Sequence, residues 1–339
     1  MSDHRPTIYD VAKRAGVSNA TVSRALNPKL SELVKPGTRK KVMKVAKELG
    51  YKANTLAKAL ATNKSTQVAV ICSDLARGSV AEMVKGILNV AQAYKYSIVI
   101  VPSPQDDKTE NLVADILSMR VDGVLYMVDE ITEKREKFLK EINDTYNIPL
   151  VLVNTCIQND ESICSVQIDY ELAGYEVTKE LIKEGRKKIA LLTTLKRYPV
   201  SILKENGYIK AMDEANLTPR ICYTSGNLTS NYDDITAFLK TNDLDGVIGV
   251  RDSIAIACMN IMKNSGKDVP NDVSFYGFQN TRYGLLTNPQ LSSVDIPVSE
   301  IGAKAMKILT SMMEDEKINK KGRVLLKHGI INRGTTLKR

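Results

Sequence analysis

No run of about 18 apolar residues occurs anywhere in the 339-residue chain, so a membrane-spanning helix is excluded. The amino terminus, MSDHRPTIYD, has no apolar signal core, and the expected compartment is the cytoplasm. Cysteines number five, at 72, 156, 164, 222 and 258. They form no CxxC pair and no metal-ligand spacing, so reduced, buried thiols are expected. Histidine is scarcer still: His4 and His328 are the whole supply, which leaves histidine-centred catalysis little to work with. No GxGxxG follows the first expected strand and no GxxxxGK(S/T) occurs at all, so neither phosphate-cradling loop is available. Asp169 and Glu171 are close in sequence, but nothing pairs them as acid and base. No enzyme, cofactor or metal is expected.

What is present is charge, unevenly placed. The chain carries +9 overall; residues 1–64 hold 14 Lys and Arg against 4 Asp and Glu, and the rest hold 34 against 35. A basic head on a near-neutral body is the footprint of a polyanion-binding module. Nucleic acid is favoured over an anionic membrane, because the head lacks the broad apolar face of an interfacial helix. The length, with 43% hydrophobic and 26% charged residues, fits two or three globular domains.

Within the head, Thr7 followed by Asp10 gives an (S/T)xx(D/E) helix start. IYDVAKRAG then sets Ile8, Val11, Ala12 and Ala15 on one face, and Gly16 stops it. Ser18 can cap a second helix after a two-residue link. On a 100° wheel, Thr21, Val22, Ala25 and Leu26 face inward, while Asn19, Ala20, Ser23, Arg24 and Asn27 form a short, polar outer arc. A third helix begins at Pro36, with Val42, Val45, Ala46 and Leu49 inside and Arg39, Lys40, Lys41, Lys44 and Lys47 outside. Helix, tight turn, helix is the layout that seats a second helix in the DNA major groove. Arg24 can then pair with guanine O6 and N7, and Ala20 can touch a thymine methyl. The third-helix lysines suit phosphate attraction.

The stretches TIYDVA, AGVS, ATVSRALN, TRKKV and ELGY resemble the DNA-binding head of the lactose/galactose repressor family over about sixty residues. The link NPKLSELV is about two residues longer than usual there, and Ala53 stands where the family commonly has proline. The resemblance implies DNA contacts from Thr7, Ser18, Asn19, Ala20, Thr21, Ser23, Arg24, Asn27 and Tyr51. It also implies a hinge helix at 54–60, with contacts from Asn54, Lys58, Leu60 and Ala61. Seven residues are too few to stay helical alone in water. That segment is expected to order when two copies meet on DNA, with Leu60 as an apolar wedge in the minor groove.

From Gln67 onward, VAVIC, SIVIV, GVLYMV, PLVLVN, SVQID, KKIALL, DGVIGV and VSFYGF alternate with amphipathic helical stretches. Parallel sheets covered by helices, in two similar halves, follow. The family resemblance continues through the body and implies the two-lobed fold shared with periplasmic sugar-binding proteins, so the expected fold is an all-α helix-turn-helix DNA-binding head plus an α/β two-lobed periplasmic-binding-protein-like body. The domains would be 1–52 for the head, 53–65 for hinge and linker, 66–164 with 295–322 for one lobe, and 165–294 with 323–339 for the other. The end at INRGTTLKR carries no heptad tail, so a homodimer is expected rather than a tetramer.

The resemblance also implies an effector cleft, and there this chain departs from the sugar-binding pattern. Asn154 stands where the family tends to have Asp, Lys204 for Arg, Arg251-Asp252 for Asn-Asp, and Gln279 for the Asp of GFD. Loss of a carboxylate suited to paired hydroxyls and gain of Arg251 imply a reduced pocket or an anionic small-molecule effector. AYKYSIVI, VDGVLYM, SVQIDYELAGY and IGAKAMKILTSMM resemble the carbon-catabolite regulators of the family, which implies HPr phosphorylated on serine as corepressor. Its contacts would be Glu300, Lys307 at an arginine position, Ser311 at a lysine position and Val80 at a tyrosine position, with Lys304 one turn before Lys307. Two other readings stand beside this one: a local repressor released by a metabolite, and a cytoplasmic ligand-binding receptor, the latter opposed by the basic head.

Overall fold

The structure is a computed structural model that describes residues 6–27, 30–51, 64–104, 108–194, 198–224, 228–314 and 320–337. The chain forms two compact units, Met1–Ser65 and Thr66–Arg339.

In the first unit, α1 (Ile8–Ala15), α2 (Asn19–Leu26) and α3 (Pro36–Glu48) enclose a small core. Val11, Ala15, Val22 and Val42 are its fully buried members. The Asp10 carboxylate accepts from both the Thr7 N–H and the Thr7 hydroxyl at 2.7 Å, closing the capping box that starts α1. Gly16 ends α1 with φ 65°, a left-handed conformation that a side chain disfavours. The link after α2 is more ordered than a bare loop: a 3-10 turn spans Ser31–Leu33, and Val34 is buried in the core. The hinge positions Asn54, Lys58, Leu60 and Ala61 lie outside the described residues.

The second unit is built on two six-stranded sheets. The first orders β11 (Arg323–Leu326), β5 (Cys164–Ile168), β4 (Leu150–Val153), β3 (Gly123–Met127), β1 (Gln67–Cys72) and β2 (Ser97–Pro102), all parallel. The second orders β12 (Gly329–Ile331), β10 (Ser292–Asp295), β9 (Ser274–Phe278), β8 (Gly246–Gly249), β6 (Ile189–Thr194) and β7 (Arg220–Thr224), with only β12 antiparallel. Adding five to each of the strand numbers 5-4-3-1-2 turns the first order into 10-9-8-6-7, so the two halves share one topology. Strands β3, β5, β6 and β9 are buried end to end, as parallel strands covered on both faces must be. One apolar core runs through both lobes, from Val68 and Leu125 to Val247 and Phe275.

Two helix crossings brace the lobes. In the first lobe α4 (Gly78–Ala93) lies against α12 (Val298–Glu314), and in the second α7 (Tyr170–Lys183) lies against α8 (Pro199–Glu214). Each crossing is notched: a Cβ on Gly86 would sit 2.0 Å from the Ser299 carbonyl oxygen, and one on Gly207 2.0 Å from that of Glu171. Backbones this close fix the helices they join, and α8 is the helix that carries Lys204.

Two expected lobe crossings move. Strands β5 and β11 pair with each other in the first sheet, Val166 opposite Val324, so the chain changes lobe after Ile168 and after Leu326, a few residues beyond 165 and 322. Strand β5, already paired with β4, gains β11 as its second neighbour, so that its backbone groups are met on both sides. The third crossing falls between Asp295 of β10 and Val298 of α12.

Candidate nucleic-acid interface and inter-lobe cleft

On the head, the Ser18 hydroxyl accepts from the Thr21 N–H at 3.2 Å and shares a hydrogen bond with the Thr21 hydroxyl at 2.9 Å. That cap fixes where α2 begins, and buried Val22 and Ala25 fix its rotation. The outer arc then falls as the wheel requires: Ala20, Ser23 and Arg24 are exposed, with Asn19 and Asn27 half-buried at its margins. Arg24 has no hydrogen-bond or ion-pair partner among the described residues. Thr21 is half-buried and tied to Ser18, Thr7 is tied to Asp10, and Tyr51 is half-buried against the head core. Those three support the reading face as much as they extend it. Lys40, Lys41, Lys44 and Lys47 line the outside of α3. The longer surface pairs to Glu48, from Arg14 at 3.8 Å and Lys44 at 4.0 Å, are solvated and weak.

In the body, Asn154, Lys204, Arg251 and Gln279 meet at one cavity between the lobes. The cavity is only about 20 Å³, room for about one water and not for a sugar. Asp252 is not part of its wall. It is buried and turned away, accepting from the Thr281 N–H at 2.5 Å, the Thr281 hydroxyl at 2.8 Å and the Ser293 hydroxyl at 2.7 Å. Burial raises its pKa while these donors oppose the rise. It braces the loop that carries Gln279, which is why the expectation of a ligand contact fails there.

Two residues missed in the sequence complete the cavity. Asp129, just beyond β3, accepts at Oδ2 from Arg77 Nη1 at 2.6 Å and from Arg251 Nη2 at 3.2 Å. Burial works against charge on Asp129, but Arg77, then Arg251, hold its carboxyl below the ordinary range. Arg251 is pulled down by burial and then by the neighbouring Arg77. Lys204 donates to the Val250 carbonyl at 3.1 Å and lies over the rings of Tyr170 and Phe278, 4.8 and 4.7 Å from their centroids. Burial first, and Arg251 second, lower its pKa to about 7. Asn154 is held at φ 59° and accepts from the Tyr170 hydroxyl at 2.5 Å. Arg77 and Asp129 sit in ordinary-looking loops, and the one sequence clue was that a buried Arg251 requires a counter-ion.

On α12, Glu300, Lys304 and Lys307 are exposed, three or four residues apart on one face. Ser311 is half-buried, its hydroxyl donating to the Lys307 carbonyl at 3.0 Å. Val80 departs from expectation: it is 3% exposed, on the core side of α4. A buried valine cannot contact a partner protein, so that position drops out of the surface.

Comparison with known proteins agrees with this geometry. Residues 7–54 match the family described as bacterial regulatory proteins, lacI family, and residues 178–336 match the periplasmic binding protein-like domain. Catabolite control protein A of Priestia megaterium is 37% identical over 319 residues, 92% of this chain and 94% of that one. The chain belongs to the lacI family of bacterial regulatory proteins. A second member of the lacI family, catabolite control protein A of Staphylococcus xylosus, is 36% identical over 97% of this chain and 99% of its own. The structure of the transcription regulator CcpA of Lactococcus lactis superposes with a TM-score of 0.72 at 29% identity, covering 80% of this chain and 99% of that one. A lac repressor dimer bound to operator superposes with a TM-score of 0.88 at 24% identity, over 99% and 100% of the two chains, and shows the shared fold. Membership makes the chain a DNA-binding transcription regulator, similar to the catabolite control proteins, and not an enzyme. No helix among the described residues is long and apolar enough to cross a membrane.

Proposed function

We propose that the chain acts as a homodimer on a pseudo-palindromic operator, one α2 entering each of two successive major grooves, with seryl-phosphorylated HPr strengthening the complex. Arg24 carries the reading: a guanidinium with no protein partner among the described residues, on a helix face short enough to approach base edges. Flanking contacts come from the outer arc of α2, and the α3 lysines supply phosphate attraction. Two copies are required because the hinge at 54–60 is too short to be helical alone. Leu60 enters the minor groove once the pair is on DNA. Anisotropy titration of the full chain against pseudo-palindromic duplexes, with scrambled duplex at matched salt, tests the reading. Equal affinity for both ends it.

The corepressor part rests on the exposed face of Glu300, Lys304 and Lys307, two cations and an acid suited to a phosphoserine and its surroundings. Calorimetry is expected to detect binding of seryl-phosphorylated HPr and much weaker binding of the unphosphorylated form; indistinguishable isotherms overturn it. Lys307→Ala is expected to weaken the phosphorylated partner about tenfold, roughly 1–2 kcal/mol. Release by a small metabolite is the weaker reading, since the cleft has room for about one water. An anionic effector would first have to displace Asp129.

A further inference from the structure

The inter-lobe cavity is crowded with positive charge. Arg77 is the N-cap residue of α4 and Arg251 that of α10 (Asp252–Asn264), so two helix N-termini and two guanidinium groups meet there, with Lys204 beside them. The positive ends of helix dipoles and the side-chain cations all favour an anion. One carboxylate lines the cavity, and it belongs to the chain: Asp129. Its Oδ2 bridges Arg77 of the first lobe to Arg251 of the second, at 2.6 and 3.2 Å. The three side chains are only 20–26% exposed, so the bridge is poorly screened by solvent. Two neutral contacts cross at the same place, Gln279 Nε2 to the Ser79 hydroxyl at 3.4 Å and the Tyr170 hydroxyl to Asn154.

We propose that Asp129 is a ligand built into the chain: its carboxylate occupies the position of a small anion between the lobes and ties them together through Arg77 and Arg251. Without it, Arg77, Arg251 and Lys204 would face one another across the cavity with only the more distant Asp74 and Asp252 opposing their charge, and removing one partner of a buried ion pair is strongly destabilising. The inference concerns the body alone and stands or falls independently of which DNA the head reads.

Hydrogen exchange on the full chain tests it, read at amides flanking the cleft, 78–81 and 252–255, in chloride and in sodium formate at equal ionic strength. Formate is the probe because it is a free carboxylate small enough for the space that Asp129→Ala vacates. Wild-type exchange is expected to be the same in both salts. Asp129→Ala is expected to exchange about tenfold faster at these amides in chloride, and formate is expected to restore wild-type protection. Arg251→Gln, which removes the second lobe's half of the bridge, is expected to exchange faster in either salt with no rescue. This second variant carries the test alone where Asp129→Ala does not fold. Unchanged exchange in a folded variant, opening of Asp129→Ala that formate does not reverse, or formate protection of the wild type equal to that of Asp129→Ala each overturns the proposal.

Discussion

Arg24 and Arg251 are the same side chain put to opposite uses. Arg24 stands on a helix rotated by Val22 and Ala25 so that its guanidinium reaches solvent with no protein partner among the described residues. Arg251 stands instead at the start of a helix and opens into a cavity where Asp129 already meets its charge. The head leaves its guanidinium open to solvent. The body has supplied the anion itself. Whether an arginine recognises a ligand or clamps a fold is decided by who provides its counter-ion.

The contrast breaks most visibly at Lys204, the third cation of the cleft. Its folded pKa of about 7 lies below the ordinary 10.5, so between those values the unfolded chain binds a proton that the folded chain does not. Stability from this group therefore rises with pH across that window, and the cost of burying the charge is fully present below pH 7. Relative to Lys204→Met, the wild type is expected to gain roughly 3–5 kcal/mol between pH 7 and 10.5, measured by denaturant unfolding of both proteins at each pH. A flat difference would mean that the lysine is solvated and the cleft open.

On the head, Arg24→Ala is expected to cost roughly 1–3 kcal/mol of operator affinity, with relaxed preference at one base pair and little change on scrambled duplex. Anisotropy with single-base operator variants reads both. Uniform weakening on every duplex would make Arg24 a phosphate contact and erase its contrast with Arg251. The smallest effect belongs to Ser18→Ala. Loss of the cap over Thr21 is expected to lower head stability by about 1 kcal/mol, seen as earlier thermal unfolding of residues 1–65 with the body transition unmoved. A shift in both transitions would show that the head and body unfold together.

Legibility differed between the two regions for a physical reason. In the head, every decisive feature lies within a few residues of its partner: Thr7 with Asp10, Ser18 with Thr21, Val22 one turn from Leu26. The eight strand runs of the body were equally local, all but SVQID apolar stretches. Strand β10, Ser-Ser-Val-Asp, escaped that signal because its serines are buried with satisfied hydroxyls, Ser292 on Thr336 and Ser293 on Asp252. Val80 and Asp252 were misplaced for the same reason, since correspondence along a chain does not say which way a side chain turns once its helix is packed.

The sequence by itself determined the helices of the head, the outward arc with Arg24 on it, and the alternation that makes two repeated α/β lobes. These follow from periodicity and capping, which act over one or two turns of chain. Only the tertiary structure decided that the cleft is closed. Asp129 reaches Arg77 across 52 residues and Arg251 across 122. Such separations leave no periodic trace, because packing within the first lobe brings Arg77 to Asp129 and packing of the second lobe against it brings Arg251.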